Sequence, residues 1–174
     1  GQPLLLTGDP GTGKTQLAYR LAWELGFGDP LKFETKSTST SQDLFYDYDT
    51  LGRFHAAQCS QTVTCEAEYI TYNALGRAIL LANEPDRFHK VLPPDFDHPG
   101  KPRRSVVLID EIDKAPRDFP NDLLDELENM RFHVRETEIT FRARERFRPI
   151  LILTSNSEKD LPDAFLRRCV FYHI

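Results

Sequence analysis

No run of apolar residues in the 174-residue sequence approaches the roughly 18 that a membrane-spanning helix needs. The opening residues, Gly1-Gln2-Pro3-Leu4-Leu5-Leu6, lack the basic segment and the longer apolar stretch of a secretory leader. They also lack an initiator Met, so the expectation is a piece of a longer protein. Cysteine is scarce. Cys59, Cys65 and Cys169 are odd in number and show no ligand spacing, which argues against a disulfide framework and for a reduced, cytoplasmic setting. His55, His89, His98, His133 and His173 have no metal-ligand spacing either. Positive charge is not in excess: the net charge of −5 gives no global support for nucleic-acid binding, although a local basic patch can exist within it. No internal repeat is present. What remains is a chain with 40% hydrophobic residues, ordinary for one globular domain that buries a sizeable core.

Short apolar runs alternate with helical patterns. Leu4-Leu5-Leu6 reads as a buried strand leading into Thr7-Gly8. From Thr15 onward Leu17, Leu21 and Leu25 recur at spacing four beside Ala18 and Ala22, and Gly26 is placed to end that helix. Residues 31–34 read as a second strand. The polar stretch 37–41 is expected to cap a helix from about Gln42. Residues 74–82 look helical, with Leu75, Ile79 and Ala82 on one side. Residues 84–104 hold Pro85, Pro93, Pro94, Pro99, Pro102 and Gly100 and read as an exposed excursion. Val106-Val107-Leu108-Ile109 is the plainest buried strand, and Asp110-Glu111 ends it. Residues 118–130 read as a helix with Pro120 in its first turn and Phe119, Leu123 and Leu127 stacked. A hairpin is expected around Glu136-Thr137-Glu138, then a strand over 150–153, a short helix over 162–168 and a last strand over 170–174. This alternation predicts an α/β fold with a mostly parallel sheet between helices.

Two motifs carry chemistry. Gly8-Asp9-Pro10-Gly11-Thr12-Gly13-Lys14-Thr15 satisfies G-x-x-x-x-G-K-[ST] between a predicted strand and a predicted helix. Glycines let the backbone curl so that N–H groups converge on phosphate oxygens, and the following helix adds its positive end. Lys14 can reach the β- and γ-phosphates, and the Thr15 hydroxyl can ligate Mg²⁺. Gln16 follows in the first turn. Asp110 and Glu111 emerge at the carboxyl end of a central strand, where ligands bind in open α/β sheets. Asp110 suits the magnesium shell, and Glu111 suits orienting and deprotonating a water. Asp113 and Lys114 read as a structural pair at the start of a loop.

Together these motifs, with Val106 through Asp113 and a strand ending in Asn156, resemble the AAA+ superfamily, and within it the MoxR-like branch close to the dynein- and McrB-related group. The finer likeness rests on Asp43-Leu44-Phe45-Tyr46-Asp47-Tyr48-Asp49 before Leu51-Gly52-Arg53-Phe54, on Asn73-Ala74-Leu75-Gly76-Arg77-Ala78, and on Leu161-Pro162-Asp163-Ala164-Phe165-Leu166-Arg167-Arg168. Residues 84–104 depart from the compact MoxR pattern. The resemblance implies a P-loop NTPase of the AAA+ ASCE type over residues 1–174. That is a three-layer sandwich with a mostly parallel five-stranded sheet, a β-hairpin before sensor 1, and no C-terminal helical lid within these residues. It also implies ATP and Mg²⁺ as ligands, Asn156 as sensor 1, and Arg168 or Arg167 as the finger offered to a neighbouring subunit. A hexameric ring that remodels a protein partner, in some relatives a von Willebrand A-type protein, completes the expectation. A transferred guanidinium is worth about 10³-fold in related phosphoryl transfers.

Arg142, Arg144, Arg146 and Arg148 give the hairpin a basic edge, and a solvated face is the favoured reading of it. Tyr69 and Tyr72 lie near an insert that touches substrates in relatives, with core packing the favoured fate. The alternatives to a protein-remodelling ATPase are a nucleic-acid-stimulated motor of a restriction or defence complex and a non-hydrolysing nucleotide switch.

Overall fold

Apolar and amphipathic stretches build alternating strands and helices in a computed structural model that describes residues 2–59, 65–88, 91–93, 96–156 and 161–174. β1 (Leu4–Thr7) runs into the glycine-rich loop and α1 (Lys14–Glu24) leaves it, followed by β2 (Leu31–Glu34). A small excursion comes next: β3 (Tyr46–Tyr48), α2 (Thr50–Cys59) and β4 (Ile70–Tyr72), with β3 and β4 antiparallel. α3 (Ala74–Leu81) then precedes β5 (Val106–Asp110). α4 (Phe119–Asp122), α5 (Leu124–Asn129) and a hairpin of β6 (Arg131–Val134) and β7 (Ile139–Arg142) lead to β8 (Ile150–Ser155). Last come α6 (Asp163–Leu166) and β9 (Val170–His173).

The main sheet has the order β2-β5-β8-β1-β9, and every neighbouring pair is parallel. Successive side chains go to opposite faces of a strand. Leu6, Val106, Leu108 and Ile152 pack with Ala18 and Ala22 of α1 on one face. Leu5, Val107, Ile109 and Leu153 pack with Leu75, Ile79, Phe119 and Leu123 on the other. The result is a three-layer α/β sandwich, and the carboxyl ends of β1, β5 and β8 meet along one edge.

Where the structure departs from the sequence pattern, packing decides. In α1 the wholly buried face is Ala18 and Ala22, because small side chains let the helix sit close on the sheet. Leu17 and Leu21 flank that contact half-buried, and Leu25 is 49% exposed. Gly26, at φ 70°, ends the helix as expected: its N–H donates to Trp23 O and the Phe27 N–H to Ala22 O, both at 3.0 Å. The helix expected from Gln42 is only a 3₁₀ turn, Gln42–Leu44, and Ser41 does not cap it. Phe45 and Tyr46 turn into the core directly after it. The helix expected over 118–130 divides into α4 and α5, yet Phe119, Leu123 and Leu127 keep their common buried side.

The proline-rich excursion is anchored, not simply exposed. Phe88 stands edge-on to Phe141 at 4.8 Å and Phe96 edge-on to Tyr72 at 6.0 Å, closing over the core. Residues 89–90, with His89, and 94–95, with Pro94, lie outside the described residues, as does the Cys59 side chain. Tyr72 is buried, as the packing reading expects. Among the described residues no helix is long and apolar enough to cross a membrane.

α3 is buried on every side except at Arg77. Gly76 allows this, because a Cβ there would run into the Phe45 carbonyl. Ala in an open helix position gains about 1 kcal/mol over Gly. At this contact the sign is expected to reverse: Gly76→Ala should lower stability by about 1–3 kcal/mol through overpacking. Urea unfolding checks this, and an unchanged or raised midpoint would refute the close contact.

Candidate functional site

Three strand ends deliver the candidate residues to one place. The loop between β1 and α1 bends at Gly8, Gly11 and Gly13, with φ of 144°, 85° and 93°. Gly8 is required twice over, since a Cβ there would also strike the Ile174 carbonyl. At Gly11 and Gly13 a Cβ would meet nothing within 4 Å, so the loop turns a bare backbone surface toward open space. Thr12 closes the bend, its N–H and hydroxyl both donating to Asp9 O at 3.3 and 2.9 Å. Lys14 begins α1 with only 7% exposure, and its ammonium donates to Gly8 O and Asp9 O at 2.8 Å each. Two of its three donors thus fix its position beside the loop, and one remains for a further acceptor.

A cavity of about 330 Å³ lies at this edge. Pro10, Gly11, Gly13, Lys14, Thr15 and Gln16 form its loop side; Asp110, Glu111, Thr154 and Asn156 face them from β5 and β8. Gly8, Asp9 and Thr12 shape the loop without lining the cavity.

Asp110 ends β5 at 9% exposure. Its Oδ1 accepts from the Thr154 hydroxyl at 2.6 Å and from the Thr15 hydroxyl at 3.1 Å, and its Oδ2 faces the Lys32 ammonium at 3.0 Å. Burial by itself would raise the carboxyl's pKa. Hydrogen bonds from Thr154, Lys32 and Thr15 outweigh that and hold it below its ordinary value, so Asp110 stays ionised. Hydrogen bonds to Glu34 and Asp110 in turn raise the Lys32 pKa.

Glu111 takes the left-handed conformation, φ 58° and ψ 51°, at a cost of roughly 1–2 kcal/mol for a residue with a Cβ. Such strain collects at functional sites and is held by its surroundings. Here the Glu111 N–H donates to Thr154 Oγ1 at 2.9 Å, and the Glu111 carboxylate pairs with Lys114 at 2.6 Å. Asp113 accepts from the Asn156 N–H at 3.2 Å and ties the end of β8 to the loop after β5. The pair expected to be purely structural therefore touches two candidate site residues.

A hydroxyl and a carboxylate are hard oxygen donors, the kind Mg²⁺ prefers. Among the described residues no group of three or more His, Cys, Asp or Glu side chains is arranged to hold a metal. Thr15 and Asp110 alone suit a cation that keeps waters and takes phosphate oxygens for its other positions, as Mg²⁺ does.

Arg167 and Arg168 are not brought to this cavity. Both are exposed. Arg168 donates to Ala164 O at 3.0 Å, lies 3.9 Å from Glu128, and borders a separate cavity of about 280 Å³ with Cys169, whose thiol burial pushes up to about 11.

Sequence reasoning missed Thr154 and Lys32. Period-two alternation could have found Thr154, which lies two residues before Asn156 near the end of β8 and lines the same cavity. Lys32 is the one cation alternating with the apolar residues of β2. Thr154→Val removes a donor to a buried carboxylate and the acceptor for a strained N–H while keeping the shape. The expected loss is about 2 kcal/mol, or roughly 4–8 °C in Tm for a chain of this size. Thr154→Ser should restore most of it in a thermal melt; equal melting of the valine variant and the parent would deny Thr154 this role.

A family model for the AAA domain of the dynein-related subfamily matches residues 3–169. No curated protein matches the chain.

Proposed function

The chain belongs to the dynein-related subfamily of AAA domains, and on that premise we propose that it binds and hydrolyses Mg-ATP at the cavity formed by β1, β5 and β8. In this reading the loop from Gly8 to Gln16 wraps the phosphates with backbone N–H groups, and Lys14 turns its remaining donor to the β- and γ-oxygens. Thr15 and Asp110 hold Mg²⁺, which supplies charge neutralisation on the β- and γ-phosphates. Glu111 takes the proton from an attacking water that Asn156 helps to place. The single observation that carries the proposal is the convergence of Lys14, Thr15, Asp110, Glu111 and Asn156 on one cavity.

Beyond the family, the segment from Leu161 to Arg168 favours the MoxR-like branch, with a hexameric ring that remodels a protein partner, a von Willebrand A-type protein among the candidates, in the cytoplasm. Arg168, with Arg167 next to it, would then serve a neighbouring copy.

Titration with a fluorescent ATP analogue, with and without Mg²⁺, tests the site. Saturable binding that tightens with Mg²⁺ and phosphate release that EDTA abolishes are expected. Binding indifferent to Mg²⁺ and to Lys14→Ala would sink the proposal. The ion pair between Lys114 and Glu111 favours a second reading, a nucleotide switch whose general base is held by an ammonium. Tight binding with no phosphate release in a single turnover would select that reading.

A further inference from the structure

At the opposite end of the sheet a third cavity, of about 450 Å³, is lined by Phe27, Arg103, Arg104, Arg146 and Phe147, among others. It sits where the chain enters β5 and β8, the far end of those strands from the phosphate loop. The hairpin arginines divide here. Arg142 and Arg144 are exposed, and Arg144 pairs with Glu84 at 2.7 Å, whereas Arg148 is largely covered, pairs with Glu145 at 3.2 Å and donates to Glu128 O. Arg146 instead joins Arg103 and Arg104, and among the described residues none of these three has a carboxylate within ion-pair distance.

The three arginines line one cavity. Arg104 donates to Arg146 O at 3.0 Å, which brings the two segments side by side. The Arg146 guanidinium lies 5.7 Å from the Phe147 ring centre. Arg104 Nε is buried with no acceptor among the described residues. These three like charges repel one another with no ion-pair partner among the described residues; Arg104 keeps its hydrogen bond to Arg146 O and Arg146 its place over the Phe147 ring. Together they make a locally cationic cavity wall, beside which Phe27 and Phe147 stand half-buried, each packed in part on the core.

We infer that this cavity binds single-stranded nucleic acid, with the guanidiniums on successive phosphates and a base against Phe27 or Phe147. Cationic groups tracking the backbone, with rings for the bases, are what single strands need. An acidic peptide would use the guanidiniums but not the parts of the two rings that the core leaves uncovered. The patch runs against the chain's net charge of −5, so it is a local feature and not a general basic surface. The inference stands apart from the nucleotide reading, because the two cavities share no residue.

Fluorescence anisotropy of a labelled 20-residue oligothymidylate with the whole chain tests it. Three neutralised phosphates predict a slope of log K against log salt of about −2, or about a 20-fold loss between 50 and 200 mM. Arg103→Ala and Arg146→Ala should each reduce the slope by about 0.7. Both should keep the parent's melting temperature, and Arg103→Lys should keep the slope. Phe27→Leu should weaken binding about tenfold at fixed salt. The inference is overturned if the oligonucleotide does not bind at 50 mM salt or the arginine variants keep the parent slope. It is overturned equally if Lys14→Ala abolishes binding, which would put the strand in the phosphate loop, or if polyglutamate displaces the probe at a lower concentration than unlabelled oligothymidylate.

Discussion

Glu111→Gln is expected to bind Mg-ATP as tightly as the parent chain and to release phosphate about 10²–10⁴ times more slowly, the usual contribution of a positioned general base. An amide has nearly the shape of the carboxylate but cannot take a proton. The hold on the backbone should survive, because Thr154 accepts from the Glu111 main-chain N–H and not from its side chain. Lys114 keeps an oxygen acceptor on the glutamine. Asp110, with its own hydrogen bonds to Thr15 and Thr154, is untouched. Binding and phosphate release measured on one preparation separate the possible results. Unchanged turnover would move the base to another residue, and lost binding would make Glu111 a structural residue.

Much of this site is legible in the sequence because its chemistry is local. The bend from Gly8 to Thr15 needs its glycines in order, and Asp110-Glu111 needs only an apolar strand before it. Parallel pairing of β1, β5 and β8 then brings the motifs to one edge. The helix-and-strand alternation foretells that sheet, whose order the sequence does not state. What the sequence hides depends on which neighbour arrives. Thr154 is an ordinary strand residue until Asp110 comes to lie 2.6 Å from its hydroxyl, 44 positions away in the chain. Lys32 is a surface lysine by composition, yet β2 pairs with β5 and sets it against Asp110. The leucine stripe of α1 misleads because periodicity finds the amphipathic side but not how close a helix can sit. Ala18 and Ala22 decide that. The hairpin arginines look uniform at period two, and only tertiary partners such as Glu84 and Arg104 divide them.

Arg168→Ala is expected to lower turnover by about 10³-fold while leaving nucleotide affinity nearly unchanged, the mark of a guanidinium that acts on charge developing in the transition state. The structure keeps this side chain away from its own chain's phosphate loop, on the segment between α6 and β9, so the proposed finger role would need a second copy to present it to a bound nucleotide. Its tethers are weak enough to release it: one hydrogen bond to Ala164 O, and a carboxylate 3.9 Å away on Glu128. An exposed pair of that kind contributes about 0–1 kcal/mol. Two consequences distinguish a finger from a stabilising surface arginine. Specific activity of the parent should rise with protein concentration through the assembly range, whereas Arg168→Ala should stay flat. An equal mixture of Arg168→Ala and Glu111→Gln chains should regain activity that neither has alone, because some interfaces then pair an intact Glu111 with an intact Arg168. Arg167→Ala in the same mixture tells which arginine crosses the interface. A parent whose specific activity is independent of concentration, together with mixtures that regain nothing, would exclude a shared site and with it the ring.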